Sequence, residues 1–111
     1  MKNLDLIAKQ LLLPIESSVT IDDITIVLID DGKGRKRYDI TLNRNVYAFD
    51  SNGHFIWQIA EVPGANNQAC PYGSITVKEG KLYTYNLTGM DYLVNLNDGS
   101  ISFFGPPRRP W

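Results

Sequence analysis

The sequence predicts a mainly β fold: two four-stranded antiparallel meanders plus one short N-terminal α-helix. Three observations lead there. After Ser18, apolar residues recur at every second position through most of the chain, the period of a strand with one buried face. Turn-forming pairs such as Asn52-Gly53, Glu79-Gly80 and Asp98-Gly99 punctuate that alternation at hairpin spacing. The pattern is also written twice. "VYAFDSNGHFIWQI" (46–59) and "DYLVNLNDGSISFF" (91–104) share one shape, an alternating run, a polar turn and a second alternating run.

The N-terminal helix is predicted over 3–13. Leu4, Ile7, Ala8, Leu11 and Leu12 form one apolar stripe at helical spacing. Asn3 is a suitable N-cap, Asp5 suits the positive end of the dipole, and Pro14 closes the segment. A helix this short is marginal by itself and is expected to lie on a sheet.

From Ser18 the period changes to two, and the first four-strand unit is predicted over 18–61. Its strands are expected at about 19–30, 37–43, 45–50 and 54–60. Ile24, Ile26 and Leu28 alternate in the first, and Tyr38, Ile40 and Leu42 in the second, with "DDGKG" turning between them. Tyr47 and Phe49 lead into Asn52-Gly53, expected as a type I′ turn, and Phe55, Trp57 and Ile59 return. Residues 62–73, within "EVPGANNQACPYGS", carry no period and form the connector. The second unit spans 74–104. Ile75 and Val77 begin it, Glu79-Gly80 turns it, and Tyr83, Tyr85 and Leu87 share a face of the return strand. Thr88-Gly89 turns again, Tyr92, Val94 and Leu96 follow, and Asp98-Gly99 leads to Ile101 and Phe103. A proline-rich tail, 105–111, completes a single domain over 1–111.

Two consecutive four-strand units of roughly 40–45 residues have the period of propeller blades. "GKLYTYNLTGMDYLVNLNDGSISF" (80–103) resembles a blade of the quinoprotein-like or WD-like propeller repeats. "NVYAFDSNGHFIWQI" is similar to the second half of the same blade, with a Trp on the outer strand. The resemblance implies a scaffold with a rim of loops, and it brings no catalytic, quinone-binding or metal residue to a matching position. A closed propeller needs at least four blades. Either the two sheets pack face to face under the helix, or several chains complete a ring as a homo-oligomer. The first is favoured because it needs no partner, and Asp39, Lys78 and Asp91 would then blunt unpaired strand edges.

Composition bounds the function. With 111 residues, 43% hydrophobic and 21% charged, the chain builds one core and buries roughly two thirds of its unfolded surface. A net charge of −1 argues neither for nucleic acid nor for an anionic membrane. The single cysteine, Cys70, rules out an internal disulfide or a CxxC metal pair. "MKNLDLIAKQLLLPIESS" is interrupted by Lys9 and Gln10 and lacks the small-residue cleavage pattern of a signal peptide. No window approaches the ~18 apolar residues of a membrane helix, so the expected location is the cytoplasm. The Asn86-Leu87-Thr88 sequon would matter only in a secreted chain.

Candidate site residues fall into four groups. Lys33, Arg35, Lys36 and Arg37 put four cations at one hairpin tip, which could clamp phosphates. Asp30 and Asp31 offset half of that charge, and no aromatic residue is interleaved for base stacking, so a solvated tip is preferred. Asp50, Asn52 and Glu61 occupy calcium-loop positions, but Phe55 stands where that loop needs glycine. His54 and Cys70, each the sole residue of its type, could make a base–thiolate pair, although no oxyanion-hole motif accompanies them. Asn66, Asn67, Gln68 and Tyr72 lie in the longest irregular segment, where binding residues concentrate on rigid sheets. In the tail, "FGPPRRPW" favours polyproline II and resembles a ligand for SH3-type grooves. Trp111 is expected instead to dock on a sheet face, with an arginine over an aromatic ring.

The function expected from these residues is a small, non-enzymatic binding module with a protein partner and no cofactor or metal. An inhibitor or immunity-type protein is one specific form. Nucleic-acid binding through 33–37 and a Cys70/His54 enzyme are the alternatives.

Overall fold

Eight strands form two separate four-stranded antiparallel sheets in the computed structural model, which describes residues 15–29, 43–62, 71–86 and 90–103. The first sheet runs β1 (Ile15–Ile21), β2 (Ile24–Ile29), β3 (Val46–Phe49) and β4 (Phe55–Gln58). The second runs β5 (Tyr72–Lys78), β6 (Lys81–Asn86), β7 (Asp91–Val94) and β8 (Ile101–Phe103). Each is a meander whose strands lie side by side in chain order, and β1 lies against β5. The predicted fold class is therefore observed. No α-helix occurs among the described residues, and the segment 3–13 lies outside them.

The second sheet follows the predicted order closely, whereas the first departs from it. The run expected as one strand over 19–30 is two strands, folded back at Asp22-Asp23. Both aspartates have positive φ, 50° and 63°, which a type I′ turn requires and which Asp tolerates better than most residues. β2 then pairs on its other edge with β3, not with 37–43. Residues 37–42 lie outside the described residues. Glu79-Gly80 is a second type I′ turn, with φ of 53° and 75°.

Asn52-Gly53 differs from its expectation. Only Gly53 has positive φ, at 83°, and its amide donates to the Asp50 carbonyl at 3.0 Å. This is a turn closed by a left-handed glycine, not a type I′ pair. The Asp50 carboxylate accepts from the amides of Asn52 and His54, both at 2.9 Å. The His54 amide is the main cause that holds the Asp50 carboxyl below its ordinary range. A depressed carboxyl stabilises the fold above its unfolded pKa, and that stabilisation fades as pH falls through the folded value. Asp50→Ala should therefore melt below the parent at pH 7, with the gap closing below about pH 3, near and under the ordinary carboxyl range. Thermal melts at the two pH values check this. A constant gap would mean that the charge does not act on the turn.

The two sheets share one hydrophobic cluster. Ile26, Leu28, Val46, Ala48, Trp57 and Ile59 of the first meet Tyr72, Ile75, Leu82, Tyr92 and Val94 of the second. Register explains the choice of face, because Ile26 pairs with Ala48, and Ala48 with Trp57. Val27, Ile29 and Phe49 on the opposite face of the first sheet are buried as well. A bulge between Ala48 and Phe49 shifts the pairing so that Phe55 sits opposite Phe49. Phe55 is 55% exposed and does not share the inward face of Trp57 as the alternation implies.

Polar contacts fasten the sheets together. The Trp57 indole donates from Nε1 to the Leu96 carbonyl at 2.8 Å, and the Ala60 amide donates to the Gly99 carbonyl at 3.0 Å. Buried Asn45 reaches across with its whole amide. Its Oδ1 accepts from the Tyr72 amide at 2.9 Å, while Nδ2 donates to the Tyr72 carbonyl at 3.0 Å and the Ile29 carbonyl at 3.2 Å. Asp91, expected at an edge, lies on an interior strand between β6 and β8. Lys78 is on the edge strand β5, and Asp39 is outside the described residues.

A tyrosine-lined cleft on the second sheet

One face of the second sheet is taken up by the shared core, and β6 shows the division most clearly. Its buried residues are Leu82, Thr84 and Asn86, while Tyr83 and Tyr85 alternate with them on the other face and are half-buried. Pairing extends that outer face across three strands. Tyr85 sits between Ser74 and Asp91, and Tyr83 between Thr76 and Leu93. Lys78 pairs with Lys81 at the far end. The result is an open cleft of about 410 Å³ lined by Ser74, Thr76, Lys78, Glu79, Tyr83, Thr84, Tyr85 and Asp91. The Thr84 hydroxyl is already committed, donating to the Ser74 carbonyl at 2.7 Å.

A bulge creates the floor of this cleft. The register of β5 against β6 shifts between Tyr72 and Ser74, so the extra residue, Gly73, sends Tyr72 inward and Ser74 outward. Tyr72, expected on a contact surface, is instead 0% exposed. Its hydroxyl donates to the Ala60 carbonyl at 2.7 Å, and burial pushes its phenol well above the ordinary range. The segment "PYGS" reads as loop in sequence, because a bulge glycine leaves no period to detect. Tyr72 is part of the inter-sheet fastening and is not available to a partner.

The other expected site residues are placed as follows. Asn66, Asn67, Gln68, Cys70, Trp111 and the basic residues Lys33, Arg35, Lys36 and Arg37 lie outside the described residues. His54 is exposed at the β3–β4 turn, with Nδ1 3.6 Å from Asp50 Oδ2. Both Asp50 oxygens thus face the turn that they cap, and among the described residues no cluster of three His, Cys, Asp or Glu side chains could hold a metal ion. Among the described residues, no helix is long and apolar enough to cross a membrane. Tyr83 and Tyr85 were legible in sequence as a same-face pair. Ser74, Thr76 and Asp91 join them only through strand pairing, which no local signal specifies.

Fold and site together define a mainly β domain of two antiparallel meanders with one polar, tyrosine-bearing sheet face. The chain belongs to the family described as domain of unknown function (DUF7957), whose model matches residues 7–104. That match takes in all eight strands and the whole cleft. No curated protein and no solved structure matches the chain.

Proposed function

We propose that this domain is a protein-binding module without chemistry of its own, and that the outer face of the second sheet is its contact surface. The observation that carries the reading is the pair Tyr83 and Tyr85, side by side and half-exposed on a sheet whose other face is consumed by the core. Tyrosine offers a large, rigid surface with a polar tip and is enriched among the residues that dominate binding energy. The open shape of the cleft suits a macromolecular surface more than an enclosed substrate. A cytoplasmic module that occludes a partner's site, as inhibitors and immunity-type proteins do, is the form that this reading takes.

The same face bears on the blade-like resemblance. We read the two meanders as two blade-like units, a reading supported by the contact between their first strands. A third unit stacked on the second sheet would bury the Lys78 and Lys81 side chains, at the large cost of taking two ammonium groups out of water. Ring closure between chains through this face is accordingly not expected.

A photo-crosslinking residue placed at position 85 tests the contact surface in the source cell. Discrete protein adducts are expected there and not from the same residue at Ser18, which is exposed on β1. Adducts of equal yield and pattern at both positions, or none at 85, would sink the reading.

A further inference from the structure

The cleft is not uniform along its length, and its polarity narrows the class of partner. This inference rests on the reading of the outer face as a contact surface. At one end, Asp91 and Tyr85 stand in a single cross-strand row with Ser74. At the other, Lys78 and Glu79 line the cleft, and Lys78 pairs across the strands with Lys81. Tyr83 and Thr76 occupy the row between. The two ends are thus four residues apart along β6, a span of ~14 Å at strand rise.

Width selects the shape of the occupant. The floor crosses from β5 to β7, two strand spacings or ~10 Å, which is no wider than one helix with its side chains, ~10–12 Å. An extended segment fits better, because its side chains at i, i+2 and i+4 point to one side with the same spacing as the rows beneath. Chemistry selects the residues. A guanidinium is planar, stacks on an aromatic face and pairs with a carboxylate, which an ammonium does less well. Tyr85 and Asp91 supply both partners in one row.

We propose that the cleft takes an extended segment of a partner protein, with an arginine over Tyr85 beside Asp91 and a carboxylate side chain four residues away at the Lys78–Lys81 end. Complementary charges then set the register, while the tyrosines provide the contact area. Binding of this kind weakens with ionic strength, since the charges lie at a surface.

The test uses the full chain, labelled with ¹⁵N, and the blocked peptide Ser-Arg-Ser-Thr-Ser-Glu-Ser. Amide shifts on titration are expected to concentrate in residues 74–85 and at Asp91. Replacing the peptide's arginine by glutamate should abolish them, and moving its glutamate next to the arginine should weaken binding several-fold. On the protein side, Asp91→Asn should weaken binding by about fivefold, the upper range for an exposed charge pair. Its spectrum away from the cleft should stay unchanged, which separates lost contact from lost folding. Absence of shifts at millimolar peptide overturns the inference, as does binding indifferent to both the arginine and Asp91. If crosslinks from position 85 persist in either case, the contact surface stands and only its peptide chemistry falls. If they fail too, both fall.

Discussion

Gly99→Ala is expected to destabilise the domain by roughly 3 kcal/mol, against roughly 1 kcal/mol for Gly80→Ala. The two glycines have nearly the same backbone, with φ of 79° and 75°. Any L-residue at either pays the left-handed penalty. Their surroundings differ. A Cβ on Gly80 meets nothing within 4 Å, whereas one on Gly99 falls 2.6 Å from Trp57 Cε3 and 2.9 Å from Trp57 Cδ2. The Gln58 carbonyl oxygen lies 3.1 Å from the same Cβ position. The indole cannot retreat cheaply, because it is buried and its Nε1 is held at 2.8 Å by the Leu96 carbonyl. Nor can the glycine, whose carbonyl accepts from Ala60 and whose amide donates to Asn95. Urea denaturation of both variants isolates the steric part as the difference between them. Equal losses would show that Trp57 does not pack against this turn, and the joint between the sheets would need another explanation.

Replacing Asn45 should cost about as much, by a different route. Asn45→Ala removes one acceptor and both N–H donors of an amide from the interior, leaving the Tyr72 amide without its partner and two carbonyls short of theirs. A buried polar group left unsatisfied costs ~1–3 kcal/mol, so a loss of roughly 3 kcal/mol is expected at neutral pH. Asn45→Asp gives a more discriminating readout. Its carboxylate could still accept from Tyr72 but would face two carbonyl oxygens in a buried site, so its pKa should rise. A raised acid pKa favours the protonated folded form, and the variant should regain stability as pH falls from 7 towards 5 while the parent does not. The protonated acid can donate to one of the carbonyls, as the amide does. Denaturant midpoints across that range would check it. A variant that loses stability on acidification in parallel with the parent would mean that position 45 is hydrated and does not bridge the sheets.

The strand-forming character of this chain and the division into two meanders are local properties, and they were legible. Alternation in "KLYTYN" and "DYLV", with Glu79-Gly80 and Asp98-Gly99 between strands, places β5 to β8 without reference to anything distant. Where local signals failed, the failures share a cause. Asp22-Asp23 turns the chain without glycine or proline, so one apolar run of "VTIDDITIVLI" hid two strands. The bulges at Gly73 and at Ile56, opposite Ala48 and Phe49, insert a residue into the period and reverse which side chains face inward. Alternation placed Tyr83 and Tyr85 on one face but could not place their neighbours, because Ser74 and Asp91 reach them across strands.

By itself, then, the order of residues determined the strand period, the positions of most turns and the two-unit plan, all set within a few residues by backbone sterics and alternating burial. Only the tertiary structure decided which face of each sheet is dry, that Tyr72 is a structural rivet while Tyr83 and Tyr85 face outward, and that Asn45 and Trp57 join the halves. Those outcomes depend on register and on hydrogen bonds between residues 27 and 39 positions apart. A period of two is symmetric with respect to the faces of a sheet, and only packing against a second sheet breaks that symmetry.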